Sequence, residues 1–386
     1  MELKRLFDIP YYQKEIYPKS DALNAKENGA WKKYSIDDCI DNINKVSLAL
    51  LASGIVKEDK ISLISNNRPE WNFVDFGIMQ VGAVNVPVYP TITEADYVFI
   101  FNDAEVKIVF VSSEELYQKV QNIRSQVPTL KEVITFNKVN GATHFSEFLE
   151  RCKNGSNDEL QSRMKAANKD DLATIIYTSG TTGFPKGVML SHWNVLSDVI
   201  AAKPLMPVGE KDKALSFLPL NHSFEKMILY LYITYGISTY YAESMDTIGD
   251  NLREVKPQIM TCVPRLLEKV YEKILAKGQD LKGIKRAMFF WALSLGERWD
   301  NQKSNGLWYK IQLAIANKLV FSKWREALGG ELRCVVTGSA PMQQKLTRIF
   351  TAAKIVVMEG YGLTETSPAT NVNHYNLENN MIGTVG

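Results

Sequence analysis

A chain of 386 residues with 45% hydrophobic and 23% charged residues has the make-up of a folded globular protein and the length for more than one subdomain. A formal net charge of +2 argues for no nucleic-acid partner. Cys39, Cys152, Cys262, Cys334 and the four histidines are scattered singly, which indicates neither a zinc site nor a disulfide framework and fits a reducing compartment.

The N-terminal stretch MELKRLFDIPYYQKE carries acids early and lacks a long apolar region, so it does not read as a signal peptide and a cytoplasmic location is expected. Apolar, strand-like runs follow at ISLIS (61–65), VNVPVY (84–89), KIVFVS (107–112), EVITF (132–136) and ATIIYTS (173–179). The first two are separated by the helical pattern RPEWNFVDFGIMQVG (68–82). A polar zone, RCKNGSNDELQSRMKAANKDD (151–171), reads as the crossover between subdomains of about 1–170 and 171–386. Next come a helix, SHWNVLSDVIAA (191–202), with Ser191 as its N-cap, and strands at 214–220, 238–243 and 258–263. The most apolar run, Met227 to Ala242, is broken by Gly236 and is shorter than the roughly 20 residues of a bilayer span. It reads as a buried helix followed by a buried strand. Residues 264–328 form a long helical excursion, followed by LRCVVTGS (332–339), the helix PMQQKLTRIFTAA (341–353) and KIVVMEG (354–360). Buried strands alternating with helices imply parallel α/β structure, and ten strands suggest two stacked, mostly parallel sheets with interleaved helices.

One stretch is too poor in apolar side chains to fill a core. YTSGTTGFPKGVMLSH (177–192) groups Thr178, Ser179, Thr181 and Thr182 with Gly180, Gly183, Gly187 and Lys186 directly after a buried strand. In parallel sheets ligands bind beyond the carboxyl ends of strands. Glycines let the backbone present N–H groups, hydroxyls add donors and Lys186 adds charge, a set suited to a polyphosphate. The arrangement differs from the P-loop, because Pro185 precedes Lys186 and Gly187 follows it.

Together with FLPLNHSFEK (217–226), VVTGSAPM (335–342) and MEGYGLTETSP (358–368), this stretch resembles the signatures of the adenylate-forming superfamily of acyl-CoA synthetases, luciferases and adenylation domains. The resemblance covers essentially the whole chain. LPLNHSFEKM, CVPRLLEKVYEKI (262–274) and the helical excursion are most similar to long-chain fatty acid–CoA ligases. It implies ATP-dependent activation of a long-chain fatty acid to an acyl-adenylate, then thioester formation with coenzyme A. The alternatives are loading of a carrier protein and a non-catalytic nucleotide- or acyl-binding module.

The resemblance also implies roles. Glu365 matches a magnesium-binding glutamate, with Thr178 helping to hold magnesium or phosphate. Thr178, Ser179, Gly180, Thr181, Thr182, Gly183 and Lys186 would cradle ATP phosphates, and Thr364 would reach the α-phosphate. Gly338, Ser339, Ala340 and Pro341 would form the adenine wall, and Tyr361, between Gly360 and Gly362, would stack on the base. His222 matches a histidine near the reacting carboxylate, where it could donate to that group or gate the thiol path. Phe224, Tyr230, Tyr232 and Tyr235 fit either an acyl tunnel or core packing. LKGIKRAMFFWALSLGERW (281–299) reads as a core helix, with peripheral contact at the inner membrane surface as the alternative. In the family a ribose-binding aspartate, a hinge and a lysine-bearing C-terminal lid domain follow the point where this sequence ends. The chain is therefore expected to be a large N-terminal AMP-binding domain that binds ATP but catalyses poorly by itself.

Overall fold

The computed structural model describes residues 2–179, 185–302 and 306–386. Its strands, in chain order, are β1 (Leu23–Glu27), β2 (Ala30–Tyr34), β3 (Lys60–Ile64), β4 (Val84–Pro87), β5 (Val106–Val111), β6 (Glu132–Thr135), β7 (Thr143–His144) and β8 (Leu172–Thr178). They continue with β9 (Lys186–Ser191), β10 (Lys213–Ser216), β11 (Ser238–Tyr241), β12 (Ile259–Cys262), β13 (Cys334–Thr337), β14 (Val356–Tyr361) and β15 (Asn371–Val372). Each of the ten apolar runs overlaps a strand. The mostly parallel α/β class with interleaved helices is as expected.

The chain forms two compact units. The first comprises Met1–Ala201, Leu218–Tyr241 and Thr364–Pro368; the second comprises Ala202–Phe217, Ala242–Leu363 and Ala369–Gly386. The boundary expected near residue 170 falls inside the first unit. The reason is β8, which follows the polar zone yet pairs in parallel with β4 and so completes the first sheet. The polar zone itself holds the helix Asn157–Ala166, capped by Ser156, whose Oγ accepts from the N–H of Glu159 at 3.2 Å.

The first unit carries a seven-stranded sheet in the order β7-β6-β5-β3-β4-β8-β9, parallel except for the antiparallel β8–β9 pair. Its central strands are apolar on both faces, as helices covering both sides require. Val86, Val109 and Val111 pack there with Tyr97 and Phe101. The same unit contains β1, parallel to β11 and antiparallel to β2. The helix Pro69–Gln80 starts with proline at its first position, where the missing N–H costs nothing. The helix His192–Ala202 starts as expected, with Ser191 Oγ accepting from the N–H of Asn194 at 3.2 Å.

The second unit carries strands ordered β15-β14-β13-β12-β10, parallel except for β15. Its helical excursion consists of Pro264–Gln279, Gly283–Glu297, Leu307–Ala316 and Ser322–Ala327, the last two joined by a π-helical segment, Asn317–Phe321. Phe289, Leu293, Phe321 and Trp324 pack there with Ile349 of the helix Gln344–Ala352. Within the block 281–299, the helix Gly283–Glu297 buries Phe289, Ala292, Leu293 and Leu295 in this core, while residues 282–287 are exposed. Among the described residues, no helix is long and apolar enough to cross a membrane.

Candidate functional site

In the first unit the phosphate-loop signature is held by a strand pair. β9 runs back against β8, so that Thr178 and Lys186 are direct partners at the mouth of the pair. Lys186 is therefore the first residue of a strand, whereas the sequence placed it in an open loop. Cross-strand partners project on the same face, which sets the Thr178 hydroxyl and the Lys186 ammonium side by side. Lys186 is exposed and makes no ion pair among the described residues. Ser179 is exposed beyond the strand end. Gly180, Thr181, Thr182 and Gly183 lie outside the described residues.

A second element reaches the same place from residues 218–223. Asn67 Nδ2 donates to the carbonyl of Leu218 at 2.7 Å, and Asn67 Oδ1 accepts from the N–H of Leu220 at 3.0 Å. Asn221 donates to the carbonyls of Leu63, near the end of β3, and Val88, just past β4. These bonds fix His222 at the strand ends, where it caps the helix Ser223–Thr234. Its Nδ1 accepts from the N–H of Phe224 at 3.1 Å. Burial holds its pKa below the ordinary histidine value. With Nδ1 accepting, the neutral ring carries its proton on Nε2, the nitrogen able to donate to a bound oxygen.

The next residue, Ser223, places its hydroxyl 3.1 Å from that of Thr364. Thr364 opens a short 3₁₀ turn, Thr364–Thr366, which lies against β9 with Cα atoms within 8 Å. Glu365 is exposed on this turn and makes no ion pair among the described residues. Thr178, Lys186, His222, Thr364 and Glu365 are thereby gathered by paired strands, a hydrogen bond and a packed turn inside one unit. Ser223 is a site residue that the sequence reading missed, although it directly follows the histidine.

Beneath this site lies a buried polar network, also unforeseen. Asp75, fully buried in the helix Pro69–Gln80, accepts from Lys226 Nζ at 2.9 Å, from Tyr230 Oη at 2.5 Å and from Asn85 Nδ2 at 2.5 Å. Lys226 Nζ also donates to Thr174 Oγ1 at 3.3 Å, in the strand that leads to Thr178. Burial pulls the Lys226 pKa down and Asp75 partly offsets it; burial pushes the Tyr230 phenol up. Tyr230 thus serves this network, and Tyr232 and Tyr235 are buried with it in the core. A lone lysine beside an apolar run was the available signal.

The second unit holds VVTGSAPM and the first part of MEGYGLTETSP, up to Leu363, at neighbouring strand ends. β13 pairs with β14 so that Thr337 faces Glu359, which puts Gly338 beside Gly360. A Cβ on Gly338 would lie 3.1 Å from the Gly360 carbonyl oxygen, a tight contact that a larger residue could make only if the β14 strand end shifted by a few tenths of an ångström. Ser339 turns away with φ of 67°, leaving Ser339, Ala340 and Pro341 exposed. Tyr361 is exposed at the end of β14, next to Gly362, and its carbonyl accepts from Thr370 N at 3.0 Å and Thr370 Oγ1 at 3.0 Å. The Tyr361 side chain is thus exposed while its backbone is pinned. Glu359, not singled out from sequence, is buried, which raises its pKa; Thr347 Oγ1 donates to it at 3.4 Å.

The first-unit set offers hydroxyl donors, one unpaired cation and one unpaired carboxylate. Such groups suit phosphate oxygens together with a hard cation. The free oxygens of Glu365 and Thr178 are the donor type that magnesium takes.

Residues 12–386 match the family described as AMP-binding enzyme. The long-chain-fatty-acid–CoA ligase FadD15 of Mycobacterium tuberculosis is 30% identical over 364 residues, which is 93% of this chain and 60% of that protein. The long-chain-fatty-acid–CoA ligase ACSBG2 of Xenopus laevis is 32% identical over 362 residues, 90% of this chain and 49% of its own length. The chain thus spans about half to three-fifths of the length of these curated relatives. Among solved structures, the N-terminal domain of FACL13 from Mycobacterium tuberculosis superposes with a TM-score of 0.72 at 20% identity, over 97% of this chain and 80% of that one. A long-chain-fatty-acid–CoA ligase (FadD1) from Archaeoglobus fulgidus gives 0.74 at 17%, over 99% and 68%. At such identities the structural likeness speaks for the fold alone.

Proposed function

The chain belongs to the AMP-binding enzyme family, and from that premise we propose that it carries the ATP and acyl sites of a long-chain fatty acid–CoA ligase. The carboxylate of the acid attacks the α-phosphorus of ATP and expels pyrophosphate. The thiol of coenzyme A then attacks the acyl carbon and releases AMP. The observation that carries this reading is the convergence of Thr178, Lys186, His222, Thr364 and Glu365 at strand ends of one compact unit. The names of the relatives support the long-chain substrate.

The residues divide the work. Lys186 and Thr178 balance charge on phosphate oxygens, and Thr364, oriented by Ser223, donates to the α-phosphate. His222 offers its Nε2 proton to the carboxylate oxygen and orients it. Glu365, with Thr178, would hold magnesium, which supplies charge neutralisation on the phosphates. In the second unit Tyr361 and the Gly338–Pro341 turn are the groups suited to stack on and border a nucleobase.

The test is a panel of acids from acetate to palmitate offered to the protein with ATP and coenzyme A, reading pyrophosphate release and thioester. Palmitate should exceed acetate by orders of magnitude, since each buried CH₂ contributes about 0.8 kcal/mol. Equal turnover of the two acids would overturn the assignment.

A further inference from the structure

Lys186 starts a strand that the sheet supports from one side. β9 is the edge strand, paired with β8 alone among the described strands, and its first two residues, Lys186 and Gly187, are exposed. A glycine in a strand brings no side chain to pack and weakens such an edge further. Fraying at this end would carry the Lys186 ammonium away from Thr178.

The constraint comes from the next pair inward. Tyr177 is the direct cross-strand partner of Gly187. A Cβ on Gly187 would lie 2.9 Å from Ile175 Cγ2 and 3.1 and 3.3 Å from two carbons of the Tyr177 ring, so the ring rests against the bare backbone of Gly187. An aromatic ring laid over an edge glycine supplies the packing that the glycine lacks. The ring is fixed in turn at its far end. Tyr177 Oη donates to Asp103 Oδ2 at 2.5 Å, on the last residue of the helix Glu94–Asp103. Its body packs against the core that holds Ile100 and Phe101 of the same helix. Burial, and then the Asp103 carboxylate, hold the phenol above its ordinary pKa, so that it stays a donor. Contacts therefore run unbroken from the core helix through the ring to the residue beside Lys186. We propose that Tyr177 is a positioning residue of the phosphate hairpin: its ring, tethered by Asp103, clamps Gly187 and so keeps the Lys186 ammonium beside the Thr178 hydroxyl. The inference rests on the reading of this hairpin as the phosphate site, and Tyr177 acts there through Lys186.

Calorimetry with magnesium–ATP, beside thermal melting of the same samples, tests it. Tyr177→Ala should weaken ATP binding at least about fivefold, and less than about twofold when Lys186→Gln is already present, because the ring then has no ammonium to place. Its melting cost should be the same in both backgrounds. Asp103→Ala removes only the tether; Asp103 is exposed, so the melting temperature should hold while ATP binding weakens about twofold or more. Combining it with Tyr177→Phe, which removes the same bond, should cost no more than either change alone. Tyr117→Ala, at another half-buried tyrosine on the same core, should lower the melting temperature and leave ATP affinity as it is. Wild-type ATP affinity in Tyr177→Ala, or in Asp103→Ala should the former not fold, overturns the proposal. Strictly additive losses for Tyr177→Ala and Lys186→Gln overturn it too, while the phosphate-site reading stands. Wild-type ATP affinity in Lys186→Gln would remove that reading, and the proposal with it.

Discussion

The hydroxyl of Ser223 lies 3.1 Å from the hydroxyl of Thr364, 141 residues further along the chain. The contact ties the start of the helix that His222 caps to the turn that carries Glu365. It joins parts of two sequence motifs into one piece of the candidate site.

If this bond orients Thr364 toward phosphate, Ser223→Ala and Thr364→Val should each weaken magnesium–ATP binding. A double-mutant cycle should give a coupling of about 1 kcal/mol, the worth of a neutral hydrogen bond. Calorimetry with ATP measures it. Strictly additive losses would mean that the contact contributes nothing to binding.

Lys186 and Glu365 should separate by what they respond to. Glu365→Gln keeps the shape but removes a ligand charge, so the magnesium concentration needed for half-maximal ATP binding should rise several-fold. Lys186→Gln should weaken ATP binding and leave that magnesium midpoint in place. A wild-type magnesium midpoint in Glu365→Gln would rule out the metal role.

Lys226→Met leaves the Asp75 carboxylate buried with only Tyr230 and Asn85 as donors. Breaking a buried ion pair typically costs about 3–5 kcal/mol. Adding Asp75→Asn, which keeps an acceptor for Tyr230, should recover part of that loss. Urea unfolding midpoints of the wild type, both single variants and the double variant supply the comparison. A double variant less stable than the sum of the two losses would contradict the pairing.

His192 supplies a pH dependence. It is buried, its Nδ1 accepts from the N–H of Leu6 at 3.3 Å, and burial depresses its pKa from 6.5 to about 4. In the unfolded chain it protonates first, so between about pH 6.5 and 4 the unfolded state binds more protons. Its contribution to stability is therefore complete above pH 6.5 and is lost as pH falls toward 4, by an amount of the order of 3 kcal/mol. His192→Gln, which retains an acceptor for Leu6, should flatten the melting profile over that window relative to the wild type. Identical profiles would show that the histidine is not the titrating group.

What could be read from sequence follows from where each residue sits. β5 and β14 are buried on both faces, so KIVFVS and KIVVMEG stood out as apolar runs. β9 was missed because Lys186, Gly187 and Met189 are exposed at the sheet edge and carry no run. The β1–β2 hairpin has largely polar strands, yet its Asn28-Gly29 turn, with φ of 50° and 81°, was a legible signal. In the site, single residues were legible from their loops. Their mutual contacts were not, since nothing periodic links residue 223 to 364 or 75 to 226.

The Asp75–Lys226 pair has a consequence for how the protein is made. Asp75 leaves the ribosome 151 residues before its partner. At about 5–20 residues per second, the carboxylate waits of the order of ten seconds for the ammonium that neutralises it. The first unit is interrupted in the chain and takes up Leu218–Tyr241 only after residues 202–217 have been made. Its interior therefore closes late. Nascent chains halted before Leu218 should be cut readily by protease within the sheet strands, and chains extended past Tyr241 should resist.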